Sequence, residues 1–217
     1  MSQVILAQGE GVVQDDGQAA IWYRKAGEQG NVDAQHNLGV MFTNGEGVAR
    51  DDNQAAIWYR KAAEQGDANA QYNLGLMYHN GEGVVQDDGQ AVIWYRKAAE
   101  QGNVDAQNNL GVMYHNGKGV VQDDGQAVIW HRKAAEQGNA SAQTNLGWMY
   151  HNGKGVVQNY NQAVIWYRKA AEQGDAKAQY NLGLMYNNGE GVEKNPQKAM
   201  KWFRKAAEQG IDDTNKR

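Results

Sequence analysis

No cysteine occurs among the 217 residues, so the chain has no disulfide and no thiol for nucleophilic or metal chemistry. Serine appears only as Ser2 and Ser141, which leaves covalent catalysis almost without raw material. An excess of charge of either sign is lacking too. The net charge of −4 predicts no strong pull toward nucleic acid or an anionic membrane. No apolar run approaches the ~20 residues that cross a bilayer, so no membrane insertion is expected. The stretch Val4-Ile5-Leu6-Ala7 is too short for a signal-peptide core and lacks a basic flank. The compartments that remain are the cytoplasm and, for a chain that has shed a leader, the periplasm or exterior.

What is abundant is repetition. Trp22, Trp58, Trp94, Trp130, Trp166 and Trp202 are spaced by 36 residues, and so are Gly39, Gly75, Gly111, Gly147 and Gly183 of the Leu-Gly pairs. Such a period marks a solenoid whose units bury their apolar faces against their neighbours. Counting from Asn31 gives full units at 31–66, 67–102, 103–138, 139–174 and 175–210. Residues 1–30 form a partial N-terminal unit and 211–217 a tail. Within 1–9, Ile5 aligns with Met41 and Leu6 with Phe42, so the chain begins partway through a helix.

Each unit reads as two helices. In 67–102, Asp67 caps an A helix carrying Ala70, Leu74, Met77 and Tyr78 on one side. Gly75 interrupts that helix at a cost of ~1 kcal/mol relative to alanine, which predicts close helix–helix approach. Asn80-Gly81-Glu82-Gly83 ends it. Asp87 with Gln90 then forms a capping-box pattern ahead of a B helix with an apolar Ala91-Trp94-Ala98 stripe and Tyr95 beside it. Gln101-Gly102 closes the unit. At the sixth such start Asn195-Pro196 replaces the pattern; proline is well placed there because a first-turn amide has no helical partner.

These residues resemble a known family. The order Ala-x-x-x-Leu-Gly-x-x-Tyr, Asn-Gly-x-Gly-Val, Asp-x-x-Gln-Ala-x-x-Trp-Tyr-x-x-Ala-Ala-x-x-Gly is similar to Sel1-like repeats, relatives of tetratricopeptide repeats with a longer unit. The resemblance covers nearly the whole chain. It implies an all-α fold, an α/α superhelical solenoid of helix-turn-helix repeats, used as a non-enzymatic scaffold or adaptor for protein complexes. Some members are cysteine-rich and linked to penicillin binding; without cysteine, that property is not carried over.

The chain supplies its own internal comparison. Units 67–102 and 103–138 differ at seven positions, five of them on or capping helix A, and three of these (69, 72 and 76) share one face. Across the units that face reads Asp33, His36, Asn37, Val40 and Thr43; then Asn69, Tyr72, Asn73, Leu76 and His79. It continues with Asp105, Asn108, Asn109, Val112 and His115; Ser141, Thr144, Asn145, Trp148 and His151; Lys177, Tyr180, Asn181, Leu184 and Asn187. In tetratricopeptide-type folds this face lines the concave groove, which the resemblance implies here. A constant framework with one varied face is what a binding groove needs, and exposed Tyr72, Trp148 and Tyr180 would be costly otherwise. The alternative is drift at unrestrained surface positions. The asparagine ladder (Asn37, Asn73, Asn109, Asn145, Asn181) either pairs with the backbone of a bound peptide or bonds to a neighbouring helix. With helices ~9 Å apart, five A helices make a groove ~40 Å long. At ~3.3 Å per extended residue it holds about a dozen.

Catalytic and metal chemistry find little support. His79, His115 and His151 recur one unit apart, too far for the ~2 Å bonds of a shared zinc, so a groove lining is the better reading. The Gly-x-Gly loops lack the lysine and strand–loop–helix setting of phosphate loops. Arg96-Lys97 and its copies have a glutamate four residues after the arginine, which predicts a solvated charged face. No cofactor and no metal are expected. The expected partner is a protein or peptide, with self-association through uncapped repeat ends as a further mode. An immunity-type inhibitor of a bacterial effector and a cell-wall or β-lactam-related hydrolase are the alternatives.

Overall fold

Two capped helices form in each of the five full units, and the computed structural model describes residues 15–211. The helices are α1 (Asp16–Glu28), α2 (Val32–Asn44), α3 (Asp52–Glu64), α4 (Ala68–Asn80), α5 (Asp88–Glu100) and α6 (Val104–Asn116). They continue with α7 (Asp124–Glu136), α8 (Ala140–Asn152), α9 (Tyr160–Glu172), α10 (Ala176–Asn188) and α11 (Pro196–Ala207). No strand occurs among the described residues. Even-numbered helices are the A helices and odd-numbered ones the B helices. Each packs chiefly on its neighbours in sequence, giving an α/α solenoid. The expected alignment of Ile5 and Leu6 lies outside the described residues, as do residues 212–217 of the tail.

The caps form where the spacing places them, with one difference. Asp67 Oδ1 accepts from Ala70 N at 2.6 Å, and Asp87 Oδ1 accepts from Gln90 N at 3.0 Å. A full capping box would also have Gln90 reach back to the cap residue's own N–H. That N–H is already taken, because Asp87 N donates to Tyr78 O of helix α4 at 2.9 Å. The same bond recurs from Asp51, Asp123, Asn159 and Asn195. It ties each B helix to the last turn of the A helix before it.

The core is built from the stripes. Ala91, Trp94, Tyr95, Ala98, Leu74 and Met77 are buried, as are their counterparts in the other internal units. Gly75 has its expected reason: a Cβ there would lie 2.7 Å from the Tyr95 ring of helix α5. Gly39 meets Tyr59, Gly111 meets His131, Gly147 meets Tyr167 and Gly183 meets Phe203 in the same way. The second loop glycine is constrained even more tightly. Gly83 has φ +64°, and a Cβ would come 2.0 Å from the carbonyl oxygen of Asp52 in the preceding unit.

Between units runs a chain of buried amides that the apolar pattern does not announce. Gln71 Nε2 donates to Ala63 O at the end of α3, and its Oε1 accepts from Gln101 Nε2 at 2.8 Å. Gln35, Gln107, Gln143 and Gln179 repeat both bonds with their own neighbours. Each buried amide nitrogen and oxygen in this ladder thereby has a partner, which offsets the cost of burying it.

The basic pairs are exposed, as a solvated charged face requires, but the arginines bond to tyrosine rather than to the glutamate four residues on. Arg96 donates to the Tyr114 hydroxyl of the next A helix at 2.6 Å, and Arg60, Arg132 and Arg168 do the same to Tyr78, Tyr150 and Tyr186. Lys97 lies over its own Trp94 ring at 4.1 Å. Both side chains serve packing because planar guanidinium and aromatic rings lie within reach, whereas an exposed ion pair offers little. At the two ends the stripes are open. Trp22 is 64% exposed while Trp58 is 4% exposed, and Met200 is 61% exposed while its counterpart Val164 is 4% exposed.

Candidate binding face

The A-helix face has three rows. The row nearest the B helices is position 72 and its equivalents. Tyr72 stacks on Tyr95 with ring centres 6.0 Å apart, His36 on Tyr59 at 5.8 Å, and Tyr180 on Phe203 at 5.5 Å. Tyr180 and Thr144 are buried, and His36, Tyr72 and Asn108 are half-buried. The expectation that Tyr72 and Tyr180 are exposed anchors therefore does not hold. The aromatic position of the B helix gives them a ring to lie on. Burial raises the pKa of the Tyr72 hydroxyl, aided by the charge of Asp105 and eased by Asn109.

The middle row is the asparagine ladder, and much of it is engaged within the chain. Asn73 Nδ2 lies 3.4 Å from His36 Nε2, and Asn145 Nδ2 donates to Asn108 Oδ1 at 3.2 Å. Asn109 sits by the Tyr72 and Tyr95 hydroxyls. Of the two roles the ladder could play, bonding to the preceding unit is the one seen at these three positions. Asn181 lines a pocket, and Asn37 is half-buried on α2. Asn69, at the helix start, is exposed and accepts from Asn103 Nδ2 at 3.1 Å.

The outer row carries the accessible chemistry. Val40, Leu76, Val112 and Leu184 are half-buried, and Trp148 at the same position is 37% exposed. Two pockets open between consecutive A helices. One, of about 150 Å³, gathers His79, Tyr95, Asn109, Val112, Met113, Asn116 and Lys118. The other, of about 250 Å³, gathers Trp148, His151, Asn181, Leu184, Asn188 and Glu190 among its lining. At the step between them Trp148 packs edge-on against His115, ring centres 5.2 Å apart.

The histidines are partnered rather than bare lining. His79 Nδ1 lies 2.7 Å from Asp88 Oδ1, and His115 Nδ1 lies 2.6 Å from Asp124 Oδ1. His151 uses its other nitrogen, with Nε2 3.0 Å from Glu190 Oε2, and Tyr160 stands where Asp88 stands two units earlier. Asp88 thus has a role beyond its neighbour's capping. A fourth histidine escaped the pattern: His131 takes the place of Tyr95 and is buried, its Nδ1 3.1 Å from Asn108 Oδ1. Burial, and then the nearby His115, push its pKa down to about 4. The signal for it was present in the sequence as the single departure from tyrosine within the internal B helices. Among the described residues no three His, Cys, Asp or Glu side chains group as a metal site, and no helix is long and apolar enough to cross a membrane.

Comparison with known proteins identifies the repeat. The chain is similar to a protective antigen of uropathogenic Escherichia coli strains with an SLR fold, at 46% identity and TM-score 0.89 over 93% of this chain. It spans only 43% of that antigen's chain. It is also similar to a Sel1 repeat protein of Oxalobacter formigenes, at 35% identity and TM-score 0.81, covering 90% of this chain and 86% of that one. An immunity protein of Pseudomonas aeruginosa matches at 25% identity and TM-score 0.52, covering 94% of this chain and 75% of that one. No curated protein matches. The Sel1 repeat fold is one typical of protein–protein interaction. The Sel1 repeat family model matches residues 1–31, 32–67, 68–103, 104–139, 140–175 and 176–211 in succession, and the chain belongs to that family.

Proposed function

We propose that the protein is a non-enzymatic adaptor that holds a peptide or partner protein on the concave face formed by its A helices. The observation that carries this reading is the pair of pockets between consecutive A helices, lined at their mouths by positions that vary from unit to unit while the framework beneath stays constant. Trp148 and the half-buried Leu76, Val112 and Leu184 supply apolar contact, and the free edges of asparagine and histidine supply polar contact. Side chains on rigid, fully capped helices need little ordering on binding, which favours affinity.

A Trp148→Ala/Leu76→Ala variant tests it. Trp148 is exposed while Leu76 packs partly on the core, so a modest drop in melting temperature is expected and capture is compared where both proteins are folded. A partner captured by the wild type from the native lysate should be lost by the variant. Equal capture by both would move the interaction off this face.

A second reading, an immunity-type inhibitor, is favoured by the similarity to the Pseudomonas immunity protein along nearly the whole chain. Co-expression with the product of an adjacent gene separates the two: survival only in the presence of this protein marks an inhibitor, and indifference marks an adaptor.

A further inference from the structure

The repeats allow one inter-helix step to be compared with another. Between α8 and α10, Glu190 projects from the loop after α10 and places its carboxylate on His151 Nε2 at 3.0 Å. Two units earlier, between α4 and α6, the same loop position is Lys118. There His79 is held from its other side by Asp88, and its Nε2 has no partner among the described residues. Lys118 likewise makes no ion pair among them, and the two groups line one pocket with Asn109 and Asn116. Each histidine has one carboxylate, on opposite nitrogens. The α6–α8 step repeats the α4–α6 arrangement, with His115 held by Asp124 and Lys154 without an ion pair among the described residues, but there Trp148 packs edge-on against the histidine.

We propose that the His79–Lys118 pocket is a subsite for a carboxylate side chain, aspartate or glutamate, of the bound partner, seated where Glu190 sits in the α8–α10 step. The proposal rests on the A-helix face being the binding face. Size and charge agree with it. A pocket of about 150 Å³ is below the ~300 Å³ of a small-molecule site and suits one side chain. Lys118 and the amides of Asn109 and Asn116 are donors, and a carboxylate accepts from several donors at once. The following step differs in carrying Trp148 where this one carries Val112, its ring edge-on to His115.

Nδ1 of His79 already donates to Asp88, so a carboxylate on Nε2 requires the ring to carry both protons. The titratable groups facing the ring are Asp88 and Tyr95 of α5 and Lys118 of the loop after α6. Of these, Asp88 and the incoming carboxylate flank the imidazolium, and Lys118 neutralises the added anion. Binding is therefore favoured by the doubly protonated ring.

The test uses three blocked or free peptides of about a dozen residues, the length the groove holds. One is acetylated and amidated with alternating glutamates, one carries glutamine in their place, and one is the glutamine peptide with a free C-terminus. Histidine side-chain resonances report the location of binding. The glutamate peptide should shift His79 and bind more tightly at about pH 6 than at about pH 8. Lys118→Glu should weaken it by about tenfold by supplying an internal carboxylate, and Glu190→Lys should strengthen it by opening a second pocket. Both positions are outside the core, and melting curves check that the variants fold. Equal binding of glutamate and glutamine peptides, indifferent to Lys118→Glu, would overturn the subsite and leave the groove intact. A shift of His79 by the free C-terminus alone would replace a side-chain carboxylate with a terminal one and overturn the assignment. No shift anywhere on the A-helix face with any peptide would overturn both the subsite and the groove.

Discussion

His131 should make the centre of the solenoid sensitive to acid. Its ring is buried and neutral, with a pKa pushed from 6.5 down to about 4. In the unfolded chain the ring titrates at its ordinary value, so between these limits the unfolded state binds a proton that the native state does not. Stability supplied by the neutral ring is thus complete above about pH 6.5 and is lost as pH falls toward about 4. Worked through, the loss is about 2 kcal/mol on going from about pH 7 to pH 5, and about 3 kcal/mol by about pH 4. His131→Tyr removes the titrating group without changing the design, because tyrosine fills this position in α3, α5 and α9 and Gly111 leaves the same room for a ring as Gly75 does. Urea unfolding followed by tryptophan emission gives the pH slope of each protein. Repeat arrays open in parts, so amide exchange in α6 and α7 is the more direct measure. Other carboxylates and histidines contribute equally to both proteins and cancel in the difference. A His131→Tyr variant with the wild-type pH slope would refute the reasoning.

Three further outcomes follow from the packing. Gly147→Ala gains ~1 kcal/mol of helix propensity but drives a Cβ to 2.8 Å from the Tyr167 ring, so it should lower the melting temperature, and a stabilised variant would contradict the close approach. Gln107→Leu leaves Ala99 O and the Gln137 amide without their buried partner and should cost about 1–3 kcal/mol in urea unfolding. Arg96→Met keeps the aliphatic stem over Tyr114 and loses one hydrogen bond at the surface, so its cost should be about 1 kcal/mol or less by the same measurement.

Most of the architecture was legible because it depends on positions that must be the same in every unit. The tryptophan spacing gave the unit, Asp67 and its equivalents gave the helix starts, and a glycine repeated mid-helix could be explained only by a neighbour in its way. The glutamine ladder was missed although its signal was present. Gln71 lies on the line of 71, 74, 75 and 78, the buried face, and recurs in all five full units, as does Gln101 thirty residues later. A polar residue on an apolar stripe reads as noise in a single helix; its partner lies in another unit, where periodicity within one helix gives no help. The reciprocal half of the capping box failed for the same reason, since the donor it needed was spent on Tyr78 of another helix. At the binding face, spacing put Tyr72, Thr144 and Tyr180 on the varied side but could not tell which edge of that side turns inward. The B-helix ring they lie against decides it.

The glutamine, arginine–tyrosine and loop-glycine contacts that join one unit to the next recur at the internal joints, and this has a consequence for the length of the chain. Excision of residues 103–138 would bring Gln143 to the Ala99 carbonyl that Gln107 holds now, Tyr150 to the guanidinium of Arg96, and Gly155 onto Asp88 where Gly119 rests. Each of these three contacts would find an identical replacement. Gain or loss of one 36-residue unit can therefore lengthen or shorten the molecule a whole hairpin at a time, and the product is expected to fold without further change. The length of the face and the order of its pockets become heritable variables, open to selection separately from the stability of the scaffold.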